Sequence, residues 1–150
     1  MDATDRKILA ELQADGRLTL TDLADRVNLS ISRCQRRVRE LEAQGAIRGY
    51  RAVIDPAAVG LGFEVLVFAV VVHPEAVTQI DAALEAIPQV IEARRLFGDP
   101  DYLIRVVTAD LADYQRLYDT VLSKIPGIQR LSSTIVLKHS VPTRALPTQL

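Results

Sequence analysis

Apolar residues in the first fifty positions recur at helical spacing. Ile8, Leu9 and Leu12 mark the buried face of a first helix, with Asp2 and Asp5 placed to cap it and Asp15-Gly16 placed to end it. Leu20, Leu23, Ala24 and Val27 mark a short second helix. Its start, Thr19-Leu-Thr-Asp22, has capping-box spacing. A turn of Val27-Asn28-Leu29 follows, and Asn28 suits its corner because asparagine tolerates positive φ. The pattern then predicts a third helix from Ser30 to Gly45. Ile31, Cys34, Val38 and Leu41 form its apolar stripe, the Ser30 hydroxyl is placed to cap it, and Gly45 can supply the left-handed residue that ends it.

Beyond the third helix the period changes from helical to alternating. Arg48–Ile54 reads as a linking strand, and Asp55-Pro56 and Gly60 then mark a hinge over 55–60. Leu61–Val72 is nearly continuous in apolar residues and predicts a covered strand, stopped by His73-Pro74. Ala76, Ile80, Ala83, Leu84 and Ile87 predict a helix up to Pro88. Val90–Phe97 predicts a strand, with Val90, Glu92, Arg94 and Leu96 on one side and Ile91, Ala93, Arg95 and Phe97 on the other. After the turn Gly98-Asp99-Pro100-Asp101 comes a strand over Tyr102–Thr108. Asp110 then caps a helix with Leu111, Tyr114, Leu117, Tyr118, Val121 and Leu122 inward, and Ile128–His139 supplies the last strand.

Ile87-Pro-Gln-Val90 and Ile125-Pro-Gly-Ile128 form a weak repeat, each at a helix-to-strand junction. Two β-α-β units joined by a turn give a split βαβ, ferredoxin-like arrangement, a four-stranded antiparallel sheet with two helices on one face. The fold class is therefore α+β. The domains are a helix-turn-helix domain with linking strand over 1–54, a hinge over 55–60 and a ferredoxin-like domain over 61–150. The second face of that sheet carries enough apolar residues to need a cover, and a second copy of the same sheet, giving a two-fold homodimer, is the economical one.

Composition narrows the class. Hydrophobic residues are 49% and charged residues 25%, a globular balance. No apolar run reaches the roughly 18 residues needed to span a bilayer, and the polar start MDATDRK has no apolar signal-peptide core. A lone cysteine leaves no intramolecular disulfide and fits the cytoplasm. Cys34 reads as a small core residue. The net charge of −1 excludes bulk attraction to polyanions. Locally the balance reverses: Arg33, Arg36, Arg37, Arg39, Arg48 and Arg51 face only Glu40 and Glu42.

A short helix, a three-residue turn and a basic helix have the logic of a helix-turn-helix, whose last helix enters the major groove of double-stranded DNA. Ser32, Arg33, Gln35 and Arg36 are candidates for base or near-base contacts. Arg39 and Arg48 suit phosphates, and Ser30 and Arg37 complete the candidate set. Arg37 lies nearer the packing side of the helix, where it can serve the fold instead.

This order of parts resembles the leucine-responsive/asparagine-regulator (Lrp/AsnC) family of transcription regulators. Asp5-Arg-Lys-Ile-Leu9 resembles the family's opening, and Gly16-Arg17 and Leu23-Ala24 follow at its spacing. Leu29-Ser30, Arg37-Val38, Leu41-Glu42, Gly45 and Ile47 match its recognition-helix signature. Gly98-Asp99-Pro100-Asp101-Tyr102 resembles its glycine-acid-x-aspartate-tyrosine loop, and Ser133-Thr134-Ile135-Val136 its terminal strand. Asn28 and Cys34 stand where the family commonly has glycine and valine. Pro100 stands at the variable centre of the loop and removes an amide donor. The resemblance implies a DNA-binding regulator with no resident cofactor, dimers that assemble further (octamers included), and an amino acid effector bound between dimers. It places effector contacts at Gly98, Asp99, Asp101 and Tyr102, with Ser133 and Thr134 beside them. An ammonium can pair with an aspartate there, and a carboxylate with amides or hydroxyls.

Two other readings use the same residues. An enzyme would need Asp99 and Asp101 as an acid/base pair, or His73 and His139 as metal ligands. Carboxylates across a proline turn need not converge, and the two histidines lack ligand spacing. An architectural protein that coats DNA without sensing anything would share the basic helix.

Overall fold

The computed structural model describes residues 1–148, and the chain falls into two compact units. The first holds three helices, α1 (Ala3–Ala14), α2 (Leu20–Arg26) and α3 (Ile31–Ala43). Its core is Ile8, Leu23, Ala24, Val27, Cys34 and Leu41, all nearly or fully buried. The caps are largely as the sequence predicts. Asp2 and Asp5 form a reciprocal capping box on α1. The Asp22 amide donates to Thr19 Oγ1, whose hydroxyl donates in turn to the Asp22 carboxylate. Asn28 takes φ 56° at the α2–α3 corner, and Gly45 takes φ 72° just past α3.

Some first-unit expectations need correction. The Ser30 hydroxyl makes no cap bond, because it turns toward Ser32 Oγ at 3.4 Å. Ile31 is 51% exposed, since it opens α3 beyond the reach of the core, and Leu20 is exposed at the corresponding place on α2. The predicted linking strand over 48–54 does not form. Among the described residues its backbone has no ladder partner, and alternation alone cannot make a strand.

The last segment is a further correction. The expected sheet domain runs to residue 150, yet among the described residues Val141–Thr148 belong to the helical unit. Gln13 on α1 holds it: its side-chain carbonyl accepts the Leu146 amide at 2.8 Å, and its Nε2 donates to the Leu146 carbonyl at 3.2 Å. Arg6 donates to the Thr148 carbonyl at 3.4 Å.

The second unit spans Ile54–Ser140 and is the expected βαββαβ. Its elements are β1 (Phe63–Val71), α4 (Val77–Glu85), β2 (Val90–Arg95), β3 (Tyr102–Thr108), α5 (Leu111–Thr120) and β4 (Ile128–Ile135). The sheet is antiparallel in the order β2-β3-β1-β4. Val65, Val67 and Ala69 of β1 and Tyr102, Ile104 and Val106 of β3 pack beneath Val77, Ile80 and Leu84 of α4 and Tyr114 of α5. Leu111 and Val121 stay partly exposed because they flank α5 at its first position and its C-cap. The last strand stops at Ile135, short of the predicted His139; only the Val136 amide continues, to Glu64.

The two junctions of the repeat share one turn. The Val90 amide donates to the Ile87 carbonyl, and the Ile128 amide to the Ile125 carbonyl. The third residue of each accepts from the end of a neighbouring strand, Gln89 from Val107 and Gly127 from Val72. Only the second junction needs glycine. Gly127 has φ 90°, and a Cβ there would lie 2.4 Å from the Ala76 Cβ.

A bulge at Ile91 overturns the predicted facing of β2. Val90 pairs with Val106, yet Glu92 pairs with Arg105, so one residue is skipped. Val90 therefore shares the helix-covered face with Ala93 and Arg95, while Glu92 and Arg94 lie on the open face. That face also carries Leu66, Phe68 and Val70 of β1 and Leu103 and Arg105 of β3. Arg105 donates to both oxygens of Glu64, at 2.6 and 3.0 Å. His139 Nε2 lies 3.0 Å from the same carboxylate. These bonds, Arg105 first, hold the Glu64 carboxyl below its ordinary value against the opposing effect of burial.

Candidate nucleic-acid interface and effector loop

Cys34 and Leu41 face the core from α3, and burial raises the Cys34 thiol above its usual range. At about 100° per residue, Ser32, Arg36, Arg39 and Ala43 fall on the opposite side, with Gln35 and Glu40 at its edges. These six residues line one shallow groove. Ser30 sits at the entry to the helix and Arg33 on its exposed flank. Arg48 lies apart from this face, beside a groove between α1 and the returning C-terminal segment that Arg51 and Tyr50 also line.

The arginines divide by partner. Arg37 reaches back to α1 and donates to Asp2 at 2.8 Å and Asp5 at 2.6 Å. The bond to Asp5, then that to Asp2, raises the Arg37 guanidinium further above its usual value. Asp2 is lowered in return, first by the Asp5 backbone amide and then by Arg37. Arg37 thus ties α3 to α1. Arg36 donates to Glu40 one turn along α3, at 2.6 Å, in an exposed pair. Among the described residues Arg33, Arg39 and Arg48 form no ion pair.

The Gly98–Tyr102 loop joins β2 to β3, with the Asp99–Pro100 peptide cis. Most of its polar groups already have partners. The Asp101 carboxylate accepts the Val71 amide at 2.8 Å, the Asp101 amide donates to Ala69, and its carbonyl accepts from Leu96. Tyr102 is buried in the core, and its hydroxyl donates to Asp81 of α4 at 2.6 Å. Burial, and then Asp81, pushes the Tyr102 hydroxyl up to about 12. Asp99 is exposed and lies 3.5 Å from Arg130 of β4. Gly98 has φ 147° beside the fully exposed Phe97. Ser133 and Thr134, adjacent on β4, take opposite faces. Ser133 sits on the helix side, hydrogen-bonded to the Tyr114 hydroxyl, and Thr134 on the open side, opposite Leu66. Ser133 and Thr134 therefore do not converge on one point within a single chain.

The pairings of Glu40 with Arg36, Asp81 with Tyr102, Tyr114 with Ser133 and Arg130 with Asp99 are not among the expectations from the sequence. Glu40 was visible as the acid one turn beyond Arg36; the others meet their partners only through the sheet. Among the described residues no three His, Cys, Asp or Glu come together as a metal site, and no helix is long and apolar enough to cross a membrane.

Comparison with known proteins decides the family. The winged helix-turn-helix DNA-binding family matches residues 1–48, and the Lrp/AsnC ligand binding domain family matches residues 65–146. The chain belongs to the Lrp/AsnC family. It is 36% identical over 148 residues to the leucine-responsive regulatory protein of Haemophilus influenzae, covering 97% of this chain and 89% of that protein. A transcriptional regulator from Neisseria meningitidis, solved in complex with L-Met, superposes with a TM-score of 0.94 at 34% identity, over 99% of this chain and 97% of that one. An AsnC family regulator from Agrobacterium tumefaciens gives 0.90 at 37% identity, over 98% and 97%. This Lrp/AsnC protein is accordingly a DNA-binding transcription regulator with a ligand-binding domain, and not an enzyme.

Proposed function

We propose that this regulator reads DNA with the outward face of α3 and answers to a small amino acid held by its second unit. The observation that carries the first part is the division of α3 itself. Cys34 and Leu41 dock the helix, Arg37 braces it, and Ser32, Gln35, Arg36 and Arg39 line a groove on the side away from the core. Ser32, Arg33, Gln35 and Arg36 are the base-edge candidates, Arg39 and Arg48 the phosphate candidates, and Ser30 stands at the helix entry. Arg37 acts by holding α3 in place. A mobility-shift titration of Arg33→Ala and Arg36→Ala at several salt concentrations tests this, and wild-type affinity in both variants would refute it.

The open sheet face, with Leu66, Phe68, Val70 and Leu103, suits a second copy of the same sheet. A homodimer so formed carries two heads for an imperfect palindrome, with half-sites roughly one helical turn apart or a multiple of it. Within one chain Asp99 and Gly98 stand exposed at a loop whose other polar groups are engaged, so an effector pocket there is completed by a neighbouring copy in a higher oligomer. The Neisseria relative's L-Met complex makes an amino acid the first effector class to test. A ligand that prefers one assembly shifts the spacing of the DNA heads. Sedimentation with and without a panel of amino acids tests this part; no ligand-dependent change for any of them would refute it.

A further inference from the structure

Glu40 stands among the arginines of the DNA-reading face, and stability does not explain it. Its pair with Arg36 is exposed, with side-chain exposures of 49% and 63%, and exposed pairs of this spacing contribute little to a fold. It lines the same groove as Ser32, Gln35, Arg36, Arg39 and Ala43. The other acid of α3's second half, Glu42, accepts instead from the Tyr50 hydroxyl at 3.2 Å. Glu40 is therefore the carboxylate that a duplex seated on this groove would meet.

A carboxylate there has two consequences. It holds Arg36 by a charge-assisted bond of 2.6 Å, so Arg36 reaches a phosphate only by giving up that partner. It is also an acceptor without donors, repelled by phosphates and matched in the major groove by an exocyclic amino group, that of cytosine above all. We propose that Glu40 is a specificity-determining residue, which withholds Arg36 from indiscriminate phosphate contact and accepts from a cytosine amino group in the chosen site. The proposal rests on the assignment of α3 to DNA.

The test compares wild type, Glu40→Ala, Arg36→Ala and the double variant on two duplexes, one of random sequence and one recovered by selection from a randomised pool. Glu42→Gln removes equal charge from the same helix and serves as the control. Glu40→Ala should bind the random duplex about five- to tenfold more tightly near 0.1 M salt, with a salt slope steeper by about one. A base-pair scan of the selected duplex should show one C·G preference weakened about tenfold. Glu42→Gln should do neither, and Glu40→Ala should add little to random-duplex affinity once Arg36 is alanine. Unchanged random-duplex affinity and slope in Glu40→Ala, or an equal gain in Glu42→Gln, would overturn the proposal. A selection with wild-type protein that enriches no sequence, together with no retardation of the random duplex, would remove the α3 assignment itself.

Discussion

The outward face of α3 and the Gly98–Tyr102 loop are both polar and both candidates for binding, yet they spend their polar groups differently. On α3, Ser32, Gln35 and Arg39 make no bond that the fold requires, and Arg36 is held only by an exposed neighbour on its own helix. In the loop, Asp101 carries the Val71 amide and Tyr102 carries Asp81, so these groups stabilise the sheet first. The face proposed for DNA can thus be complete within one chain, whereas the ligand site proposed at this loop calls for groups from a neighbouring copy.

Variants should separate the two regions on a stability scale. Asp101→Ala has the largest expected effect, about 2–3 kcal/mol in denaturant unfolding, because it strands a part-buried amide at the end of β1. A loss below about 0.5 kcal/mol would mean the loop's aspartate is as unspent as the arginines of α3. Tyr102→Phe should cost about 1–2 kcal/mol, since Asp81 loses its donor. The same variant has a pH signature. The folded Tyr102 hydroxyl titrates above its unfolded value, so its contribution is present at neutral pH and fades as pH rises from about 10 toward about 12. Wild type should lose stability over that window, and Tyr102→Phe should lose less.

Arg37→Ala comes next. It should lower the melting temperature and only slightly flatten the acid side of the stability profile, because the Asp5 backbone amide, the first cause of the Asp2 shift, remains. Asp2, lowered in the folded state, contributes stability above its unfolded value that is lost as pH falls. Its effect on DNA should be equal for all sequences. A sequence-dependent loss would move Arg37 to the reading face. Asp99→Ala should change stability by less than about 0.5 kcal/mol, because its pair with Arg130 is exposed.

What the sequence discloses of these regions follows the range of the forces involved. The turn at Asn28, the stop at Gly45 and the burial of Cys34 rest on rules spanning a few residues, and all three stand as read. The βαββαβ order was equally legible from periodicity. The skipped residue at Ile91 was not, because a bulge is a property of two strands and no one-strand pattern encodes it. The strand read over 48–54 failed for the same reason. The clamp of Gln13 on Leu146 joins the two ends of the chain and has no local signal. In the candidate site, the outward arginines of α3 were legible from helical period. The engagement of Tyr102 and Ser133 was not, since their partners lie on helices reached only through the sheet.

The smallest expected change in stability belongs to Arg39→Ala, and it carries the most direct test. The measurement is the slope of log binding constant against log salt for wild type and Arg39→Ala on one duplex, with melting temperatures taken alongside. Arg39→Ala should give a slope shallower by about one with the melting temperature unchanged. Identical slopes and affinities in the two proteins would contradict the assignment of α3's outward face to DNA.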